Sequence, residues 1–98
     1  MTATTMSATV IQPEGSVDTM TLPRNDEKRL AILQQIVGGY IEAVALPGGR
    51  YMVINENGKD APHVVNQTAT DIAREAQAIQ SDDYIAGVAA IITQGILQ

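Results

Sequence analysis

Residues 33–58 read LQQIVGGYIEAVALPGGRYMVINENG, and this stretch decides the fold. The pattern predicts the end of a helix, a strand, a tight turn, a second strand and a second turn. Gly38 stands where a helix commonly ends in a left-handed residue. Pro47 and Gly48 fit the central pair of a type II turn, because proline fixes φ and glycine accepts a positive φ. We therefore expect a helix followed by a β-hairpin.

The second turn predicts how the chain continues. Asn57 and Gly58 are the preferred pair of a type I′ hairpin turn. We therefore consider a third strand over residues 59–65, with Pro62 keeping part of it irregular or at a sheet edge. The sequence leaves open whether residues 60–65 form that strand.

The first helix is predicted over residues 25–37. Asn25 is a good N-cap, and Asp26 and Glu27 place negative charge where the helix dipole favours it. Apolar residues recur at helical spacing at Leu30, Ile32, Leu33, Ile36 and Val37. Before this helix, residues 7–12 and 17–22 are predicted to form a β-hairpin, because both are β-prone and a turn cluster separates them.

A second helix is predicted after residue 66, with Asn66 and Thr68 as competing N-caps. Its apolar positions are Ala69, Ile72, Ala73, Ala76 and Ile79. Residues 81–83 are expected to end it. The apolar run at residues 87–93 suits a buried strand, although its alanines leave a helix as an open alternative.

The predicted order of elements is β-β-α-β-β-(β)-α-β. This order indicates a single α+β domain over residues 6–98, preceded by a disordered N-terminus at residues 1–5. We expect a mainly antiparallel sheet with both helices on one face.

Composition excludes several classes of function. The 98 residues include 6 basic and 11 acidic side chains, which give a net charge of −5. This balance argues against a DNA or RNA partner and against polybasic attachment to a membrane. The chain has no cysteine, which excludes disulfides, thiolate catalysis and Cys-based zinc sites. Its N-terminus lacks the pattern of a signal peptide, and no apolar run approaches the ~20 residues of a membrane span.

Four motifs carry a resemblance to a known family. They are VGGYIE at residues 37–42, LPGG at 46–49, NENGK at 55–59 and VNQTAT at 65–70. Residues 30–93 resemble the domain of unknown function 3846 family, which occurs in phages and in actinobacterial and firmicute genomes. The resemblance implies a phage or mobile-element setting and no known chemistry.

Six residues form the candidate ligand site. They are Tyr40, Arg50, Tyr51, Asn55, Lys59 and Asn66. The two cations suit a phosphate, the tyrosines suit stacking on a planar base, and the asparagines suit a base edge. Together they predict a small nucleotide-type pocket. The alternative is a solvated strand edge with structural tyrosines and Asn66 as a helix cap.

Other polar features favour structural roles. His63 is the one histidine, and the sequence offers it no partners for a catalytic triad or a zinc site. Glu42 and Glu56 are expected to be solvent-facing charges. The glycines at residues 38–39 follow a helix, whereas phosphate-binding glycines normally precede one. We predict no catalytic residue, no metal ligand and no cofactor.

The functional expectation is a small, non-enzymatic binding protein of phage type that forms a homo-oligomer in the cytoplasm of the host bacterial cell. Its most specific form is a counter-defence sponge that sequesters a cyclic nucleotide-type immune signal. One alternative is a protein–protein inhibitor of a host or defence protein. A second alternative is a small metal-dependent nucleotide hydrolase.

Overall fold

The computed structural model describes residues 5–60 and 62–93, which form five strands and two helices. The elements in chain order are β1 Thr5–Ile11, β2 Val17–Pro23, α1 Asp26–Val37, β3 Ile41–Leu46, β4 Arg50–Asn55, α2 Gln67–Glu75 and β5 Ala89–Thr93. This confirms the α+β class and the predicted order. Residues 1–4 of the predicted disordered terminus lie outside the described residues, and Thr5 already belongs to β1.

The strands form one sheet with the order β2-β1-β5-β4-β3, and all neighbours are antiparallel. Both predicted hairpins are present, as β1–β2 and β3–β4. The last strand, β5, lies between them, so the open alternative at residues 87–93 is settled in favour of a strand. Ala89 and Ala90 are fully buried there.

The two helices cover opposite faces of the sheet. On β4, Met52 belongs to the core cluster under α2 and Val53 to the cluster under α1. On β5, Ala89 belongs to the cluster under α2 and Ala90 to the cluster under α1. The prediction that both helices share one face is therefore wrong. The physical reason is that successive strand residues point to opposite faces, so the continuous apolar run of β5 needs cover on both sides.

The helix ends follow local capping chemistry. Asn25 caps α1, because its side-chain oxygen accepts a hydrogen bond from the Lys28 N–H at 3.0 Å, and Gly38 follows the helix with φ of 81°. Asn66, rather than Thr68, caps α2. The helix α2 ends at Glu75, well before the predicted end at residues 81–83.

The two turns after α1 differ in outcome. Gly48 has φ of 80°, as the predicted type II turn requires. At the second turn, the Gly58 N–H donates to the Asn55 carbonyl at 3.0 Å, and neither Asn57 nor Gly58 has a positive φ. The type I′ prediction is therefore wrong. The Asn55 side chain accepts from the Asn57 N–H at 2.7 Å, and this asparagine turn replaces the hairpin.

No strand follows the second turn in the described part of residues 59–65. Ala61 lies outside the described residues. The segment makes one isolated bridge, between Val65 and Ala86. The open question of a strand at residues 60–65 is thus answered in favour of irregular chain for residues 60 and 62–65.

Candidate functional site

The structure does not gather the six candidate residues into one cavity. Arg50 begins β4, whereas Lys59 follows the turn after its other end. The strand from Arg50 to Asn55 advances about 17 Å at ~3.4 Å per residue. The Arg50 side chain is exposed and its Nε donates to the Pro47 carbonyl at 3.4 Å. The two predicted phosphate ligands therefore lie far apart.

Asn66 is committed to the fold. Its side chain is fully buried, and its amide nitrogen donates to the Ile11 and Gly87 carbonyls, both at 2.9 Å. Its amide oxygen accepts from the Ala69 N–H at 3.0 Å. Both amide protons are used, so this residue joins β1, α2 and the segment just before β5 and has no donor left for a ligand.

The Asn55 side chain, at the end of β4, also holds two parts of the fold together. Its amide nitrogen donates to the Val37 carbonyl at 3.0 Å, which ties the end of α1 to the end of β4. Gly39 permits this contact, because a Cβ at that position would lie 2.9 Å from the Asn55 amide nitrogen. Gly39 and Asn55 of the VGGYIE and NENGK motifs therefore serve the same structural contact: Asn55 makes the hydrogen bond, and Gly39 leaves room for it.

The two tyrosines of the candidate site differ in environment. Tyr40 precedes β3 and is 69% exposed, which leaves its ring available to a partner. Tyr51 is half-buried and packs against the core under α1. Tyr51 therefore contributes to folding, while Tyr40 remains a surface aromatic.

Lys59 belongs to a cluster that the sequence did not reveal. Its ammonium binds the Asp83 carboxylate and lies 4.4 Å from the centroid of the Tyr84 ring. The Tyr84 hydroxyl lies 3.1 Å from Nε2 of His63, and the two rings stack with centroids 5.8 Å apart. We call Lys59, His63, Asp83 and Tyr84 the Lys59 cluster. Its members come from two segments more than 20 residues apart, so no local pattern signals it.

The Lys59 cluster also sets a protonation state. The hydrogen bond from the Lys59 ammonium, followed by that from the Tyr84 N–H, lowers the pKa of Asp83 below its ordinary value of 3.8. The carboxylate is consequently charged at neutral pH, and the ion pair fixes the turn after β4 to the loop before β5.

A cavity of about 370 Å³ lies beside this turn and forms the best candidate site. Its apolar lining comes from Pro13, Val37, Pro62, Val64 and Val88. Its polar side chains are Asn55, Asn57, Asp60 and His63, with backbone from Gly58 and Gly87. An apolar wall with a few polar groups and a volume in this range is typical of small-molecule sites. We call it the turn cavity.

A smaller recess of about 130 Å³ lies next to the turn cavity and shares Asn55, Gly58 and Asp60 with it. Lys59 lines this recess, and so do the Glu42 and Glu56 side chains. The structure therefore brings Asn55 and Lys59 together and leaves Tyr40, Arg50, Tyr51 and Asn66 outside. Asp60, which the sequence did not single out, lines both spaces.

The described residues lack two features that would narrow the function. They contain no group of three histidine or carboxylate side chains placed to hold a metal ion. Within the same residues, no helix is both long enough and apolar enough to cross a membrane.

The comparison with protein families matches residues 6–95 to the model described as Domain of unknown function (DUF3846). No curated protein and no solved structure matches the chain. The geometry above accounts for several signature positions in structural terms, as a helix cap at Gly38, the Gly39–Asn55 contact and the buried Asn66. Because the family model covers almost the whole chain, the protein belongs to the DUF3846 family.

Proposed function

We propose that this protein is a non-enzymatic binding protein that holds a small nucleotide-type ligand in the turn cavity. The observation that carries the proposal is the meeting of an apolar wall with amide, carboxylate and imidazole groups in a space of about 370 Å³. Val88 and the exposed Val64 offer apolar contact to a base, and Asn57 and Asp60 offer hydrogen-bonding partners for its edge.

The neighbouring recess suggests where a phosphate group lies. Lys59 is the one cation that lines this recess; its ammonium is already paired with Asp83, and Glu42, Glu56 and Asp60 place three carboxylates on the same walls. Acidic neighbours repel a densely charged ligand. A cyclic nucleotide carries less charge per phosphate than a nucleoside triphosphate, so the cyclic class fits this charge balance better.

We propose counter-defence as the biological setting, in which the protein sequesters a cyclic nucleotide-type immune signal. The support is the small size of the chain and the resemblance to a family found in phages. Sequestration requires binding without turnover, and this requirement separates the proposal from a hydrolase.

Calorimetry and thermal melting with a panel of cyclic mononucleotides, cyclic dinucleotides and ADP-ribose derivatives test the ligand. We expect one member to release heat and raise the melting temperature, since a ligand at 100 times its Kd stabilises the folded state by about 2.7 kcal/mol. Chromatography should recover that ligand unchanged. Absence of binding by every member contradicts the proposal, and a hydrolysed ligand favours the enzyme.

A matched pair of variants places the site. Val64 lines the turn cavity and is 64% exposed, so Val64→Trp fills the entrance with little cost to folding. Val17→Trp makes the same change at the start of β2, at a residue that is 53% exposed and does not line the turn cavity. We expect V64W to lose binding at least tenfold and V17W to bind like the parent. If both variants bind the ligand as tightly as the parent, the binding site is not the turn cavity.

The same pair tests the biological setting. In bacteria that carry a cyclic nucleotide-dependent defence, expression of the parent protein should restore plating of a sensitive phage. V17W should restore it as well, whereas V64W should not. Restoration by V64W at the same protein level contradicts a role for the cavity in counter-defence.

A further inference from the structure

We infer that the free edge of β3 pairs antiparallel with the same edge of a second copy, so that two five-stranded sheets join into one. β3 is the last strand of the sheet, and no described strand lies beyond it. This inference does not rest on the proposed ligand.

Hydrogen bonding defines which groups face outward. The Glu56 N–H donates to the Tyr40 carbonyl at 2.9 Å, which makes these two residues a hydrogen-bonded pair. Such pairs alternate along an antiparallel ladder. The N–H and C=O groups of Ile41, Ala43 and Ala45 therefore point away from β4 and are available to another strand.

The side chains of β3 favour close approach of a second strand. Glu42 is the one charged residue of the strand, and the remaining five are apolar. Ala43 and Ala45 are exposed and small. The opposite sheet edge, β2, also carries one acidic residue, but it ends in Pro23, whose missing N–H is a feature that usually protects an edge and that β3 lacks. The unprotected edge is thus β3.

Charge and hydrogen bonding select one register. A pairing centred on Glu42 would place two carboxylates directly opposite each other, which destabilises a sheet. A pairing centred on Ala43 sets Glu42 opposite Val44 of the second copy. It also sets Ile41 opposite Ala45, so all three outward-facing residues form hydrogen-bonded pairs. The edge is therefore complementary to itself, and this points to a second copy as its partner.

A groove beside β3 accommodates the side chains of the second strand. It has a volume of about 750 Å³ and is lined by residues 42–45 and 77–80 together with Asp83. Glu42 and Val44 of the second copy would project on this side of the sheet. The amides of Gln77 and Gln80 can donate to the incoming Glu42 carboxylate, and Asp83 is already paired with Lys59.

The wall of this groove opposite β3 begins with Gln77, whose backbone conformation is unusual. Gln77 has φ of 55°, a left-handed conformation that few residues other than glycine and asparagine adopt. It turns residues 78–80 away from the axis of α2 and towards β3.

Analytical ultracentrifugation from micromolar to near-millimolar concentration tests the inference. A two-strand contact is a small interface, so we expect a reversible dimer that forms as concentration rises. Because the two Ala43 residues face each other, Ala43→Glu and Ala43→Lys should each remain monomeric. An equimolar mixture of A43E and A43K should form the dimer again, because opposite charges then meet across the two-fold axis.

Thr19→Glu and Thr19→Lys make the same changes at the β2 edge and should dimerise like the parent. Circular dichroism should show that all four variants fold, since both positions are on strand edges at the surface. A parent protein that stays monomeric over the whole concentration range overturns the inference, and so does an edge of β3 that pairs with a strand of another protein and not with a second copy. A dimer in A43E alone, or no dimer in the mixture, also overturns it.

Discussion

Single asparagine side chains connect distant segments of this fold. Asn66 bonds to carbonyl groups 55 and 21 residues away, and Asn55 bonds to one 18 residues away. In the sequence, both residues suit a ligand site equally well, because an amide shows no preference for a base edge over a backbone carbonyl. Only the tertiary structure shows that Asn66 uses both amide protons within the fold and that Asn55 uses one.

Asn66→Ala should destabilise the protein by about 3 kcal/mol, because it leaves two carbonyl groups and one N–H without partners at a buried position. Urea unfolding at neutral pH measures the change. Asn57→Ala is the matched control, since Asn57 is exposed, and its effect should stay within about 0.5 kcal/mol. A loss below about 1 kcal/mol in N66A would mean that water replaces the amide.

Gln77→Gly should stabilise the protein. Gln77 occupies the left-handed position of a Schellman motif at the end of α2. In this motif the Gln77 N–H donates to the Arg74 carbonyl and the Ala78 N–H donates to the Ala73 carbonyl, both at 2.9 Å. Glycine removes a left-handed penalty of about 1–2 kcal/mol and adds an unfolded-state entropy cost of about 0.5–1 kcal/mol.

The net gain from Q77G is therefore about 0.75 kcal/mol, the middle of a range of about 0–1.5 kcal/mol, which thermal melting resolves as a rise of a few degrees. Gln77→Ala keeps the left-handed penalty and should give no gain. An equal rise in both variants would show that the effect comes from the lost glutamine side chain rather than from the backbone.

At the scale of whole elements, local chemistry allowed prediction where neighbours in sequence decide the structure. The N-cap at Asn25, the glycine at the end of α1 and the Pro47–Gly48 turn are examples. Prediction failed where a distant group decides. The turn after β4 depends on the Asn55 contact with α1. Prediction also failed at the end of α2, where the neighbouring Gln77 adopts a left-handed conformation that its residue type disfavours.

The candidate site shows the same division. The NENGK motif at residues 55–59 indicates the neighbourhood of the turn cavity, because Asn55 and Lys59 lie at the turn after β4. Asp60, Val64 and Val88 stayed undetected, since their part in the cavity comes from the return of a segment that has no regular structure. Arg50 attracts notice in the sequence as one of few cations, but it begins β4 and so lies a full strand length away from the turn cavity.

Asp83→Asn should weaken the connection between the turn after β4 and the loop before β5 in a pH-dependent way. The folded pKa of Asp83 is lowered, so its contribution is fully present above the unfolded value of 3.8 and is lost as the pH falls through the folded pKa. Both partners are more than 40% exposed, so screening limits the contribution near neutral pH to at most about 1 kcal/mol.

Urea unfolding of parent and D83N at about pH 7 and about pH 3 measures this difference. Asparagine can still accept from the Tyr84 N–H, so the comparison isolates the charge. The two proteins should differ at neutral pH and converge in acid. A difference that persists unchanged in acid would assign the effect to packing.

For the molecule as a whole, the decisive feature is the central position of the last strand. β5 pairs with β1 on one side and with β4 on the other, and it separates two hairpins that are each contiguous in sequence. Ala89 and Ala90 are fully buried and Ile92 is 2% exposed, so β5 supplies core to both helices. Neither hairpin can complete the sheet without it.

A chain that ends at residue 88 should therefore fail to fold, because an isolated two-stranded hairpin is at best marginally stable in water. The parent should unfold in one cooperative transition, with a stability within the usual ~5–15 kcal/mol of small domains. The shortened chain should show no cooperative urea transition and poor dispersion of its amide NMR signals. A synthetic peptide of residues 87–93 added in excess should restore both, because the two strand ladders can form again in trans. Cooperative unfolding of the shortened chain without the peptide would show that β1–β2 and β3–β4 associate directly, and the central role of β5 would then be wrong.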